Sequence, residues 1–233
     1  MGKDVIIACD FASQNEVMDF LSIFPQNEKP YVKIGMELFY SSGPEIVKKI
    51  KERGHKIFLD LKLCDIPNTV KKSMKVLSEL DVDMCNLHAF GCSKMMKAAI
   101  EGLTRPDGTR PLLIAVTMLT SMDEDAAHNE LGINLPIKDI VMNYAENAKN
   151  SGLDGVVCSP LEAAAVHDRC GDGFLTVTPG IRFDGGDMGD QVRVMTPSRA
   201  AKAGSDYIVV GRPITASANP LESYRRCVKD FCG

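Results

Sequence analysis

Short apolar runs rich in β-branched residues recur along the whole chain, separated by polar segments. Eight of them read as strands, at 5–9, 31–35, 56–59, 83–87, 112–118, 155–158, 174–177 and 207–210. Between most of them the apolar positions switch to helical period, predicting helices over 14–24, 44–52, 68–80, 93–103, 137–150, 161–169, 197–203 and 221–232. Helix starts carry their own signals. Ser13 with Glu16, Ser42 with Glu45 and Ser159 with Glu162 have capping-box spacing. Pro160, Pro197 and Pro220 each follow a Ser, Thr or Asn, as a first-turn proline does. Gly54, Gly152 and Gly204 fall just past the last periodic residue of a helix, where a left-handed terminator belongs.

Alternating strands and helices, with strands that are apolar on both faces, predict a parallel sheet covered by helices. Eight units predict its closed form, the (β/α)8 or TIM barrel, as a single domain over residues 1–233. An open doubly wound sheet is the other arrangement such alternation allows. Against it, no glycine fingerprint follows the first strand, where the chain reads Ala8-Cys9-Asp10-Phe11-Ala12-Ser13.

Composition narrows the function classes. The formal charge is −4 and no Lys/Arg block occurs, which argues against nucleic acid or an anionic membrane as partner. The eight cysteines form no CxxC pair, and Cys9, Cys85 and Cys158 fall in apolar runs. They read as thiols in a reducing compartment, with Cys227 and Cys232 left open. Met1-Gly2-Lys3-Asp4 lacks the form of a signal peptide and the apolar runs are too short to span a bilayer, so a cytoplasmic protein is expected.

In either α/β architecture the chemistry gathers beyond the carboxyl ends of the strands. Those ends carry Asp10, Lys33, then Asp60, Lys62 and Asp65, then Asn86 and His88, then Thr117, Thr120 and Ser121. Asp60 and Lys62 are two apart on an extended segment, so they share a face opposite Leu59, Leu61 and Leu63. Such an ionic cluster is either a satisfied structural network or a device for chemistry. In the chemical reading, carboxylates around Lys62 keep its ammonium protonated and ready to deliver a proton.

Further along, Arg182 after the seventh strand and Gly211 with Arg212 after the eighth suit a phosphate, helped by a helix start near 216–221. The glycine-rich stretch 180–191, with Arg182 and Gln191, reads as a loop over the site. His55, His88, His128 and His167 show no metal-ligand spacing, and Lys33 and Lys62 would compete with a cation between Asp60 and Asp65, so no metal is expected. The segment 122–135 reads as a surface connection.

Asp60-x-Lys62-x-x-Asp65-Ile66-Pro67-Asn68-Thr69 resembles the signature of the orotidine 5′-phosphate decarboxylase family. Asp10, Lys33, Leu119-Thr120-Ser121, Thr178-Pro179-Gly180-Ile181-Arg182, Gln191 and Val210-Gly211-Arg212 extend the resemblance from residue 10 to residue 212. Sugar-phosphate members of the wider superfamily share the Asp-x-Lys-x-x-Asp motif but use Mg²⁺ and a glutamate where this chain has Lys33.

The resemblance implies a TIM-barrel homodimer that converts orotidine 5′-monophosphate to uridine 5′-monophosphate and CO2 without a cofactor. It implies a catalytic array of Lys33, Asp60, Lys62 and Asp65, with Asp65 and Thr69 reaching in from the partner subunit. Asp10 and Lys33 would hold the ribose, and Thr120, Ser121 and the backbone near Pro179 the pyrimidine. Arg182, Gln191, Gly211 and Arg212 would take the phosphate. A nucleotide-binding barrel without catalysis is the alternative from another class.

Overall fold

The sheet closes because its first strand pairs with its last. In the computed structural model, which describes residues 2–184 and 194–233, eight parallel strands pair in chain order. They are β1 (Asp4–Ala8), β2 (Tyr31–Gly35), β3 (Ile57–Leu63), β4 (Met84–His88), β5 (Leu112–Val116), β6 (Gly155–Val157), β7 (Leu175–Thr178) and β8 (Tyr207–Val210). The β1–β8 register, Ile6 against Val209, completes the ring. The fold is therefore the (β/α)8 barrel, and the open sheet is excluded.

The described helices are α1 (Gln14–Leu21), α2 (Met36–Ser42), α3 (Glu45–Glu52), α4 (Pro67–Ser78), α5 (Cys92–Leu103), α6 (Ile137–Asn150), α7 (Ala163–Cys170), α8 (Pro197–Lys202), α9 (Arg212–Thr215) and α10 (Pro220–Cys232). Two cores result. Inside the barrel, Ile6, Tyr31, Phe58, Met84, Ile114, Leu175 and Tyr207 fill the lower part. Outside it, the alternate strand residues, such as Val5, Ile7, Val32, Ile34, Ile57 and Leu59, pack with the apolar faces of the helices. Both faces of each strand are thus covered, which is why the strand sequences run apolar without polar alternation.

The terminating glycines behave as the sequence predicts. Gly152 and Gly204 have φ of +92° and +90°. Around each, the next two amides bond back to helix carbonyls, Gly152 N to Lys149 O and Leu153 N to Ala148 O, and Gly204 N to Ala201 O and Ser205 N to Ala200 O. Ser13, Thr196 and Asn219 cap α1, α8 and α10 as expected.

Two predicted caps differ. Ser42 ends α2 instead of opening α3, whose N-cap is Pro44. At Ser159 the reverse half of the box forms: the buried Glu162 carboxylate accepts the Ser159 N–H at 2.8 Å, and α7 begins only at Ala163, so Pro160 precedes the helix. The segment 122–135 is also more than a surface connection. It contains a π turn (Ala126–Glu130) that buries Ala127, and Glu124 caps the first amide of α6 at Ile137.

The amino-terminal end of the barrel is held by a repeated device. Asp83, Asp154 and Asp206 stand immediately before β4, β6 and β8, and each accepts a backbone N–H from the start of the preceding strand: Ile57 at 2.8 Å, Leu113 at 2.7 Å and Thr176 at 2.8 Å. Lys51 pairs with Asp83 and Arg110 with Asp154, and His167 Nε2 lies 3.3 Å from Asp206. Strand starts in a staggered parallel sheet leave amides without ladder partners, and these carboxylates supply them.

Asp154→Ala strands both the Leu113 amide and the Arg110 guanidinium. It is expected to lower the unfolding free energy by about 1–3 kcal/mol. Urea denaturation checks this, and an unchanged midpoint would contradict it.

Candidate active site

The carboxyl ends of the strands divide into two halves of opposite character. On β1 to β4 the inward positions above the apolar core are ionic or polar: Asp10 follows β1, β2 carries Lys33, β3 carries Asp60 and Lys62, and β4 carries Asn86 and His88. On β5 to β8 the corresponding wall is apolar, with Val116, Val157 and Val209 joined by Met118 and Pro179. Thr120 and Ser121, from the turn after β5, put hydroxyls at its edge. Together with Asp10, Lys33, Asp60 and Lys62 these groups line one cavity of about 290 Å³.

Asp60 is the hub of the ionic half. Its Oδ1 accepts from Lys62 Nζ at 2.7 Å and from Asn86 Nδ2 at 2.7 Å, while Oδ2 lies 3.4 Å from Lys33 Nζ. Lys33 Nζ also donates to Asp10 Oδ1 at 2.7 Å. The chain of charges therefore alternates Asp10, Lys33, Asp60, Lys62.

Burial sets the electrostatics: the side chains of Lys33 and Asp60 are only 10 % and 11 % exposed, against 56 % for Asp10. Burial alone would push the Lys33 ammonium down, but the Asp60 and Asp10 carboxylates outweigh it and hold Lys33 above the ordinary lysine range. Burial likewise opposes ionisation of Asp60, yet Lys33, Lys62 and the Asn86 amide hold it below the usual carboxylate range. Burial and then Lys62 push His88 below its ordinary value, with Asp60 opposing. His88 is thus disposed to be neutral.

Simple alternation does not explain how Lys62 comes to face Asp60. β3 pairs Leu59 with Cys85 and then Leu63 with Leu87, so three residues of β3 stand against the single residue Asn86. Lys62 adopts φ +52° within this irregularity, a left-handed conformation that costs an L residue about 1–2 kcal/mol. Asn86 Oδ1 takes the displaced Lys62 N–H at 2.8 Å. Asn86 is an inward residue at a strand end, and only that position marked it in the sequence.

Gly35 is a second contributor not singled out beforehand. A Cβ there would lie 2.8 Å from Asp10 Oδ1 and 3.0 Å from Lys33 Nζ, so a side chain at Gly35 would make the Asp10–Lys33 pair shift.

The remaining predicted residues lie around this centre. Asp65 and Thr69 are exposed at the start of α4 and do not line the cavity of their own barrel; the Asp65 carboxylate accepts the Ile66 N–H at 2.6 Å. Gly211 leads directly into α9, so Arg212 opens a helix that begins before the one expected near 216–221. Gly180, at φ +78°, and Arg182 bond through their backbones to Met195, and Arg182 Nη1 donates to Ile181 O at 2.8 Å. Gln191 and most of the 180–191 stretch lie outside the described residues. Thr117 is spent on structure, its hydroxyl donating to Val157 O at 2.9 Å.

Among the described residues no group of three or more His, Cys, Asp or Glu side chains converges as metal ligands do. A larger groove of about 950 Å³ runs over α4 and α5, where Lys71 already pairs with Glu101 at 2.6 Å, but it is lined by none of the strand-end residues.

A family model described as the Orotidine 5′-phosphate decarboxylase / HUMPS family matches residues 3–227. The chain belongs to this family. Among its relatives, the orotidine 5′-phosphate decarboxylases of Bacillus cytotoxicus and Bacillus cereus are 56 % and 55 % identical to it over 236 aligned residues, covering 100 % of this chain and 99 % of each relative. The crystal structure of orotidine 5′-phosphate decarboxylase from Lactobacillus acidophilus superposes with a TM-score of 0.89 at 42 % identity, covering 99 % of this chain and 100 % of that one. A second structure, the orotidine 5′-monophosphate decarboxylase of Methanocaldococcus jannaschii complexed with the inhibitor BMP, has a TM-score of 0.79 at 20 % identity over the whole of both chains and bears on the fold alone.

The charge array carries its own pH signature. The raised Lys33 contributes stability that is complete below the unfolded lysine pKa and is lost as pH rises through its folded value; the depressed Asp60 contributes stability present above the unfolded carboxylate pKa and lost as pH falls through its folded value. Asp60→Asn should therefore cost about 3–5 kcal/mol across the neutral range. That difference from the unaltered chain should shrink below pH about 3.9 and above pH about 10.4. Denaturant titration over pH checks this; a difference that stays flat at both ends would contradict the coupling.

Proposed function

We propose that the chain is an orotidine 5′-phosphate decarboxylase, a carboxy-lyase that converts orotidine 5′-monophosphate to uridine 5′-monophosphate and CO2 in de novo pyrimidine synthesis. The observation that carries this reading is Lys33, held between Asp10 at 2.7 Å and Asp60 at 3.4 Å. The family description spans both the nucleotide enzyme and sugar-phosphate enzymes. In the latter a glutamate and Mg²⁺ are expected at this position, and a protonated lysine cannot serve as a ligand.

The difficulty of the reaction is the electron pair left at C6 when its bond to the carboxylate breaks. Nothing in the pyrimidine delocalises it. Lys62, tied to Asp60 at 2.7 Å, presents an ammonium fixed before the charge develops, and a fixed charge needs no solvent reorganisation. The C6–carboxylate bond breaks, CO2 departs, and a proton passes from Lys62 Nζ to C6; the lysine then regains a proton from water. Asp60 orients the ammonium, and its own charge opposes the substrate carboxylate.

The two halves of the mouth suit the two faces of the substrate. The apolar wall of Val116, Val157 and Val209 takes the flat base, with Thr120, Ser121 and the Pro179 backbone at its polar edge. Asp10 and Lys33 hold the ribose. Arg182, Gln191, Gly211 and Arg212 hold the phosphate, whose remote binding energy lowers the barrier at C6 when closure of the site depends on it.

The functional unit is a homodimer in which the partner subunit supplies its Asp65 and Thr69. Supporting this, Tyr40, Ile66 and Phe90, on the connections that follow β2, β3 and β4, are 71 %, 67 % and 68 % exposed, an apolar rim beside the ionic half of the mouth. No described helix is long and apolar enough to cross a membrane. The enzyme works in the cytoplasm.

The ultraviolet change on consumption of orotidine 5′-monophosphate should be catalysed equally with and without EDTA, and Lys62→Ala should abolish it while nucleotide monophosphate still binds. Turnover of Lys62→Ala within about tenfold of the unaltered chain would remove Lys62 as proton donor. Mixing inactive Lys62→Ala and Asp65→Ala chains should restore activity, because a heterodimer has one complete site. No recovery after proven subunit exchange would place Asp65 in its own barrel's site.

A further inference from the structure

Lys62 is held at both ends by residues that are also bonded to each other. Its backbone N–H donates to Asn86 Oδ1 at 2.8 Å, its ammonium donates to Asp60 Oδ1 at 2.7 Å, and Asn86 Nδ2 donates to the same Asp60 oxygen at 2.7 Å. The three bonds close a ring. Asn86 is 1 % exposed, so no water competes for either end of its amide. The two partners also fix its orientation, since a backbone N–H needs the carbonyl oxygen and a carboxylate needs the NH2.

The register explains why an amide is required at this place. Between the Leu59–Cys85 and Leu63–Leu87 pairs, Asn86 alone faces residues 60–62, so the ladder has no backbone partner for Lys62 N–H there. The side chain of Asn86 replaces it. Without that bond nothing in the ladder holds Lys62 at φ +52°, and the long lysine side chain would start from a different backbone direction.

We infer that Asn86 is a positioning residue for proton delivery: its amide locks the left-handed turn at Lys62 and orients the Asp60 carboxylate that aims the ammonium. Asn86 does not touch the reacting atoms. It acts through Lys62 and Asp60, and the inference rests on the decarboxylase reading of the site.

Two variants test it. Asn86→Ala removes both bonds; Asn86→Asp keeps the shape and the acceptor for Lys62 N–H but replaces the donor to Asp60 with a carboxylate. Turnover of orotidine 5′-monophosphate is measured over the acid pH range, with uridine 5′-monophosphate affinity and thermal unfolding measured alongside. In both variants kcat should fall by about 100-fold while KM and product affinity stay within about threefold.

The acid limb of kcat should also move to higher pH, and further in Asn86→Asp. The other charged and titratable groups facing Asp60 are unchanged: Lys33 on β2 with Asp10 behind it, Lys62 on β3 and His88 on β4. A purely structural role would scale kcat equally at every pH and leave the limb in place. That result, or kcat within about threefold of the unaltered chain in either variant, overturns the inference. Should Asn86→Ala not fold, the near-isosteric Asn86→Asp decides. Absence of turnover in the unaltered chain would overturn the decarboxylase reading itself, whereas turnover there with unaffected variants overturns the role of Asn86 alone.

Discussion

A carboxylate taken out of water costs several kcal/mol unless donors replace its hydration, and Asp60 meets that requirement only through three neighbouring strands. Lys33 comes from β2, Lys62 from its own strand β3, and Asn86 from β4. Each donor depends on the others being in register. Lys33 in turn pairs with Asp10 beyond β1, directly over Gly35. The ionic half of the mouth is therefore one connected object on β1–β4, and it faces the apolar wall of Val116, Val157 and Val209 across the cavity.

The two ends of the barrel use carboxylates in contrasting ways. At the amino-terminal end, Asp83, Asp154 and Asp206 accept backbone amides and stitch strand starts together. Those groups cannot move without opening the sheet. At the other end, Asp60 and Asp10 accept from the Lys33 and Lys62 ammonium groups, so their bonds fix charge in the mouth of the barrel. Carboxylates bound to backbone amides and carboxylates bound to ammonium groups thus lie at opposite ends of the barrel, with the apolar layer of Phe58, Met84 and Ile114 between them.

The local irregularity at Lys62 links the fold to the chemistry. A regular β3 would have matched β4 residue for residue, whereas this one fits three residues against Asn86 and places Lys62 in a left-handed turn. Strain of this kind persists because the surrounding bonds over-determine it.

What the sequence determined by itself was set by local periodicity and backbone preference: the apolar runs marked all eight strands, helical spacing marked the principal helices, and Gly152 and Gly204 marked where two of them stop. The motif residues Asp60 and Lys62 were legible for the same reason, since type and spacing are local quantities. The short helices α2 and α9 were not, because seven and four residues are too few for a helical period to declare itself. The Ser42 and Pro160 signals failed because Ser42 belongs to α2 and Pro160 to the turn before α7. Only the tertiary structure decided that β1 meets β8, that three residues of β3 face Asn86, and that Asp10 and Lys33 meet over Gly35. Those are relations between segments distant in the chain, and no local pattern encodes the register at which they meet.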